Sequence, residues 1–251
     1  MDSPRKARNN MKLLIIRHGE PDYERDSLTE KGWREAGYLA EMLSGVKIDK
    51  CYVSPLGRAK DTASLTLEKK RMQAVECGWL QEFPAEVIRP DKGYPINCWD
   101  FLPQDWMNVK EYFDKDAWAS TDLMREGRVW QEYTHVTEEF DALLKRHGYA
   151  REGNFYRAER PNRDTIAFFC HFALECVLLG HLIGASPMVL WHGFCAAPSS
   201  VTTVMTEERR EGIASFRISR FGDVSHLYAK GEEPSFYARY CETFDSDELH
   251  D

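Results

Sequence analysis

The sequence predicts an α/β fold, a three-layer α/β/α sandwich around a mostly parallel sheet, with an inserted cap region. Two observations carry this. A buried-strand pattern followed by a loop and an amphipathic helix occurs twice before residue 70, and a further apolar run near residue 165 again leads straight into a helical stretch. Strands that alternate with helices need crossovers, and these lay helices over both faces of a parallel sheet.

The elements follow in order. Residues 11–16 are apolar apart from Lys12, as in a strand covered on both faces, and Arg17-His18-Gly19-Glu20-Pro21 ends the run. In Leu28-Thr29-Glu30-Lys31-Gly32 a helix opens with Thr29 as N-cap, and Trp33, Ala36, Leu39, Ala40 and Leu43 follow at helical spacing up to Gly45. Residues 50–53 form a short strand and Ser54-Pro55-Leu56-Gly57 a turn. A second helix starts near Arg58 and carries Ala59, Thr62, Ala63 and Leu67. Residues 73–77 are a third strand.

Pro84, Pro90, Pro95 and Pro103 then interrupt the alternation, among the aromatics Tyr94, Trp99, Phe101, Trp106, Tyr112, Phe113 and Trp118. This stretch is expected to be an inserted cap with a small core of its own. Residues 121–147 are expected to be one long helix stopped by Gly148. Residues 164–170 read as a buried core strand, 172–183 as the helix after it, and 201–206 with 213–219 as a hairpin. The domain reading is a flexible tail over 1–10 and a single domain over 11–251, its cap insertion covering about 84–160.

Composition narrows the partners. The chain has 251 residues, 43% of them apolar, and a formal charge of −8, which disfavours nucleic acid and anionic membrane surfaces. The basic start leads into an apolar run too short for a signal-peptide core, and no later stretch approaches membrane-spanning length. Seven cysteines, with no Cys-x-x-Cys pair, fit reduced thiols in the cytoplasm better than disulfides or zinc.

Three cation-capable groups fall just beyond the C-terminal ends of expected strands, where parallel sheets bind ligands: Arg17-His18, Arg58 and His171. Two arginine forks and an imidazole suit the equatorial oxygens of a transferring phosphoryl group, and neutral imidazole is a nucleophile near neutral pH. His192 and His226 have no partner spacing that suggests a site and are assigned structural roles. A zinc hydrolase built on His18 and His171 lacks any His-x-x-x-His ligand pair.

Arg17-His18-Gly19, with Ser54-Pro55-Leu56-Gly57-Arg58-Ala59-Lys60-Asp61-Thr62-Ala63 and the helix opening at Leu28, resembles the histidine phosphatase superfamily in its phosphoglycerate-mutase-like branch. The resemblance implies that His18 is the phosphorylated nucleophile, that Arg17, Arg58 and His171 bind phosphate with His171 counted in the catalytic set, and that Glu82 is the proton donor. Glu20 and Asp22 are the next carboxylates after Glu82. The resemblance also implies no cofactor and no metal, and a carboxylate behind His171 would keep it protonated.

The chain departs from the family pattern at Glu20-Pro21-Asp22-Tyr23, at Phe172 after the second histidine, and at Ala197-Pro198-Ser199. The expected function is a phosphomonoesterase acting on a small phosphorylated molecule through a phosphohistidine. The alternatives are a phosphoglycerate mutase-type phosphotransferase and a non-catalytic phosphate-binding module. Between residues 84 and 120 there are four basic side chains against seven acidic ones, a poor receptor for a second anionic group, which favours the phosphatase.

Overall fold

Alternating side chains of the central strands face two separate apolar layers in the computed structural model, which describes residues 10–236 and 241–245. Apart from Asn10, the expected tail lies outside the described residues. The main sheet has eight strands: β1 (Lys12–Arg17), β2 (Lys50–Val53), β3 (Ala74–Glu76), β4 (Tyr149–Glu152), β5 (Phe155–Ala158), β6 (Thr165–Cys170), β7 (Val201–Arg210) and β8 (Ile213–Asp223). Their order across the sheet is β3-β2-β6-β1-β7-β8-β5-β4. The core, β3-β2-β6-β1, is parallel, and the β7–β8 hairpin continues the sheet antiparallel from β1.

One face of the core presents Leu14, Ile16, Cys51, Val53, Ala167 and Phe169 to helices α1 (Glu30–Ser44) and α2 (Gly57–Lys70), which contribute Leu39, Leu43 and Ala63. The other presents Leu13, Ile15, Tyr52, Ile166, Phe168 and Cys170 to α3 (Val129–Arg146) and α4 (Phe172–Ile183). Period-two strands between two helical layers make the three-layer sandwich, and each fully buried Leu, Ile or Phe contributes roughly 1.5–3 kcal/mol. As expected, the Thr29 hydroxyl caps α1 by accepting from the Gly32 amide at 3.0 Å. Helix α4 is apolar almost all round because it is buried almost all round. Among the described residues no helix is long and apolar enough to cross a membrane.

Two expectations are corrected. Residues 121–147 are two helices, Asp122–Glu126 and α3, broken at Gly127 and at Arg128, whose φ is +52°. The left-handed Arg128 turns the chain, and the preceding position needs glycine because a Cβ on Gly127 would lie 2.3 Å from the carbonyl oxygen of Glu86 in the Glu86–Ile88 strand. The aromatic segment has no separate core either. Phe101, Trp106, Tyr112 and Trp118 are buried in the same apolar cluster as Ile15, Phe168 and α4, while Tyr94 and Phe113 stay exposed. Within residues 84–160, the first part folds over the sheet in short elements, and Tyr149–Glu152 and Phe155–Ala158 complete the sheet edge.

Gly127→Ala is expected to lower unfolding stability by about 1–3 kcal/mol, the usual range for a forced overlap. A urea titration checks it, and an unchanged midpoint would show that the Glu86 segment yields freely.

Candidate active site

Register brings the site together. Ile16 on β1 and Val53 on β2 both pair with Phe169 of the intervening β6, so the three parallel strands end at one level. The residues that follow emerge side by side: the His18 amide donates to the Cys170 carbonyl at 3.1 Å and the Ser54 amide to that of Phe169 at 2.9 Å. The rings of His18 and His171 lie 5.1 Å apart between centroids, tilted by 57°. This is the C-terminal edge of a parallel sheet, where open α/β folds hold ligands.

His18 is buried, and its Nδ1 lies 2.7 Å from the Gly19 carbonyl oxygen. A carbonyl only accepts, so Nδ1 carries the proton and Nε2 keeps the lone pair. Burial, followed by the charges of Arg17 and Arg58, holds its pKa well below the ordinary histidine value, so the ring is neutral. Gly19 fits the motif because its amide donates to the Thr62 hydroxyl at 2.9 Å, while a Cβ there would come within 2.8 Å of the Gly32 carbonyl.

His171 is also buried and also pushed well below its ordinary pKa, by burial first and then by His18, Arg58 and Arg17. The carboxylate expected behind it is absent from its hydrogen bonding: Nε2 meets the Ser54 hydroxyl at 2.8 Å. Ser54 Oγ accepts from the Leu56 amide and keeps its own proton to donate to Nε2, and in that tautomer the ring proton is on Nδ1. That Nδ1 is buried without a hydrogen-bond partner among the described residues.

The arginines are held from outside the strands. Arg17 Nη1 donates to the Ala196 carbonyl at 2.5 Å, and its guanidinium lies 5.6 Å from the centre of the Phe172 ring. Arg58 Nη1 donates to Asp26 at 2.8 Å, and the other Asp26 oxygen accepts from the Gly57 amide at 2.6 Å. Tyr23 covers the Arg58 guanidinium at 5.3 Å. Arg58 Nε is a second buried donor without an acceptor among the described residues.

Glu82 reaches the same place from the loop after β3. Its Oε1 accepts from the Phe83, Ala173 and Leu174 amides at 3.1, 3.1 and 3.2 Å, the last two being the first turn of α4. Burial raises its pKa, opposed by Arg17, these amides and Arg58. The competing carboxylates are engaged elsewhere. Glu20 accepts from the Thr29 hydroxyl at 2.7 Å and from Ser235 Oγ, and Asp22 pairs with Arg25.

The structure thus brings together Arg17, His18, Arg58, Glu82 and His171. His192 and His226 are props: the Phe101 amide donates to His192 Nε2 at 3.0 Å, and His226 Nε2 meets Ser199 Oγ at 3.0 Å. Ser199, at φ +61°, donates its amide to the His18 carbonyl at 2.9 Å and walls the nucleophile from behind. Asp26, Ser54 as the partner of His171, and the buried Glu175 were not read as functional. Only Asp26, in a polar run close after the Arg-His-Gly motif, offered a local hint.

Residues 13–219 match the family model of the histidine phosphatase superfamily (branch 1). The chain belongs to that superfamily. Among similar proteins, the adenosylcobalamin/alpha-ribazole phosphatase of Escherichia coli is 23% identical over 72% of this chain and 84% of its own length. Phosphoserine phosphatase 1 of Hydrogenobacter thermophilus is 25% identical over 83% of this chain and 93% of its own. The solved phosphoglycerate mutase of Bacillus anthracis, at 18% identity, shares the fold with a TM-score of 0.58 over 89% of this chain and 98% of that one.

Arg58→Lys keeps the charge but cannot serve both Asp26 and a second acceptor through a planar fork. With charge-assisted bonds worth about 1.5–3 kcal/mol, kcat/KM on a phosphomonoester is expected to fall by roughly 10- to 100-fold. A near-normal value would reduce Arg58 to a point charge.

Proposed function

We propose that this histidine phosphatase is a phosphomonoesterase that moves the phosphoryl group of a small phosphorylated molecule to His18 and then to water. One observation carries the reading. A neutral imidazole with its lone pair on Nε2 stands beside two buried groups, His171 Nδ1 and Arg58 Nε, that have no hydrogen-bond partner among the described residues. A nucleophile next to unmatched donors suits an electrophile rich in oxygens.

His18 Nε2 attacks phosphorus, and the P–O bond to the leaving group breaks with its electron pair on oxygen. Glu82, raised by burial, gives that oxygen its proton. The ionised Glu82 then takes a proton from water as the water oxygen attacks phosphorus. The P–N bond breaks, restoring His18 and releasing inorganic phosphate. Arg17, Arg58 and His171 balance the charge on the phosphoryl oxygens, and an arriving dianion favours protonation of His171. We assign this clamp the work that metal ions do at other phosphoryl-transfer sites, with no resident metal.

A mutase would use the same residues and a second anionic substrate. The cap is poorly equipped for one, since Arg89 pairs with Asp91 at 2.7 Å and Lys115 with Asp116 at 2.6 Å. The named phosphatases among the relatives support a small phosphomonoester as substrate. Seven free cysteines, two of them exposed, support a reducing, cytoplasmic setting.

Quenching the wild-type enzyme during turnover of an aryl phosphate should trap acid-labile phosphate on His18. His18→Ala should lose both the label and all but about a percent of the rate, because losing a nucleophile costs orders of magnitude. A chelator should leave the wild-type rate unchanged, and a rate lost to chelation and restored by metal would overturn the metal-free reading.

Glu82→Gln separates acid from bystander. Cleavage of an alkyl phosphate, which expels a basic alkoxide, should fall by about two to four orders of magnitude. His18 phosphorylation by a nitrophenyl phosphate should fall far less, and a burst should then be followed by slow hydrolysis. Equal single-turnover losses on both esters would remove Glu82 from the role.

A further inference from the structure

Glu175, in the first turn of α4, is a buried carboxylate that the reaction described above does not use. Its amide donates to the His171 carbonyl at 2.9 Å, and the two preceding amides of the same turn hold Glu82 Oε1. The two carboxylates are therefore neighbours on one helix end. Thr202 supplies a hydroxyl to Glu175, since Thr202 Oγ1 already accepts from the Gly222 amide at 3.0 Å and its own proton is left to donate. Glu175 Oε1 is buried without a hydrogen-bond partner among the described residues. Thr202 on β7 pairs with Ile15 on β1, two residues before Arg17, so this group lies under the clamp on the α4 side of the sheet.

We infer that Glu175 is a positioning residue whose negative charge keeps the proton on Glu82 for the first half-reaction, an inference that rests on Glu82 being the acid. Arg17 is shared between the two carboxylates, and Arg58 acts on Glu82 but is not among the groups that face Glu175. Ionising Glu82 while Glu175 is charged places like charges close together where water screens them little. The ionisable groups facing Glu175 are Arg17 from β1, Glu82 from the loop after β3, and the thiols of Cys170 on β6 and Cys176 on α4. Burial sends both thiols upward, so they stay neutral, and the balance lies among the two carboxylates, Arg17, which faces both, and Arg58, which acts on Glu82. Glu175 itself is pushed up to about 7 by burial, with Glu82 adding to the rise and Thr202 and Arg17 opposing it. Near neutral pH the two carboxylates titrate as a coupled pair.

The sign follows directly. Cleavage of an alkyl phosphate needs protonated Glu82, so kcat/KM falls as pH rises through the pair's upper ionisation. Glu175→Gln removes the opposing charge, lets Glu82 ionise earlier, and should move that fall about one pH unit lower. Glu175→Asp keeps a charge and should leave the fall nearer the wild-type position. Thr202→Val withdraws the hydroxyl that favours ionised Glu175 and should move it in the same direction as Glu175→Gln, by less. The phosphorylation step with a nitrophenyl ester, which does not need the acid, should show no such shift.

The measurement is the pH profile of kcat/KM on an alkyl phosphate for each variant, with thermal melting to show that it is folded. Glu82→Gln is run beside them. If it loses the alkaline fall while folded Glu175→Gln or Thr202→Val keeps the wild-type position, Glu82 stands as the acid and the role of Glu175 is overturned. If Glu82→Gln itself keeps the wild-type fall, the acid assignment fails and the inference fails with it.

Discussion

Four groups able to carry positive charge share one desolvated spot at the C-terminal edge of the parallel strands, and the rest of the site follows from that crowding. Arg17, His18 and His171 are buried and Arg58 is mostly so. Burial first, and the neighbouring positive charges second, drive both imidazoles well below their ordinary pKa. The same desolvation and crowding that keep His18 neutral suit the cluster to the dianion of the proposed reaction. Attack and binding are thus one electrostatic arrangement.

Holding such a cluster requires restraints that offset only part of its charge, and Asp26 is a carboxylate in direct contact with it, beside Arg58. A carbonyl and an aromatic ring are among the contacts that fix Arg17, and one carboxylate and an aromatic ring fix Arg58, whose Nε has no acceptor among the described residues. His171 is positioned by a hydroxyl, which orients the ring without the charge of a carboxylate. Ser199 and its partner His226, which burial pushes down to about 4, form a neutral wall behind His18. Buried carboxylates flank the cluster at one remove. Glu35 accepts the Glu20 amide at 2.8 Å and is pushed up to about 7 by burial, so the nucleophile loop is tied to α1 by a group that is only partly charged at neutral pH.

How much of this could be read beforehand depends on whether the signal was local. The strand over 11–16, the Thr29 cap and the helix over 172–183 were legible because one residue pattern determines each. The break at Gly127 and Arg128 was not, because the Glu86 carbonyl that packs against Gly127 belongs to a segment 41 residues upstream (127 − 86). Nor was the merging of the aromatic segment with the main core, since composition names apolar residues but not what covers them. The β4–β5 hairpin was missed although Gly153, at φ +60°, sits at its turn; its strands are short and their alternation weak. At the site, Arg17, His18 and Arg58 stand in contiguous motifs. Asp26, Ser54 as a histidine partner, and Glu175 act through contacts that only the folded chain creates.

In the proposed reaction, helix α4 lets Glu82 serve first as acid and then as base without moving. Its first-turn amides fix Glu82 Oε1, and the helix dipole favours negative charge there, so one oxygen is permanently occupied and the proton is left to Oε2. Burial pulls the other way, toward the neutral form, and the net result is a raised pKa. A group balanced between these two pulls can release a proton to a leaving oxygen and recover one from water at nearly the same position. The near-total burial of α4, which anchors its other end in the apolar core, keeps that balance from drifting, and so the packing of the helix supports the proton transfers at its tip.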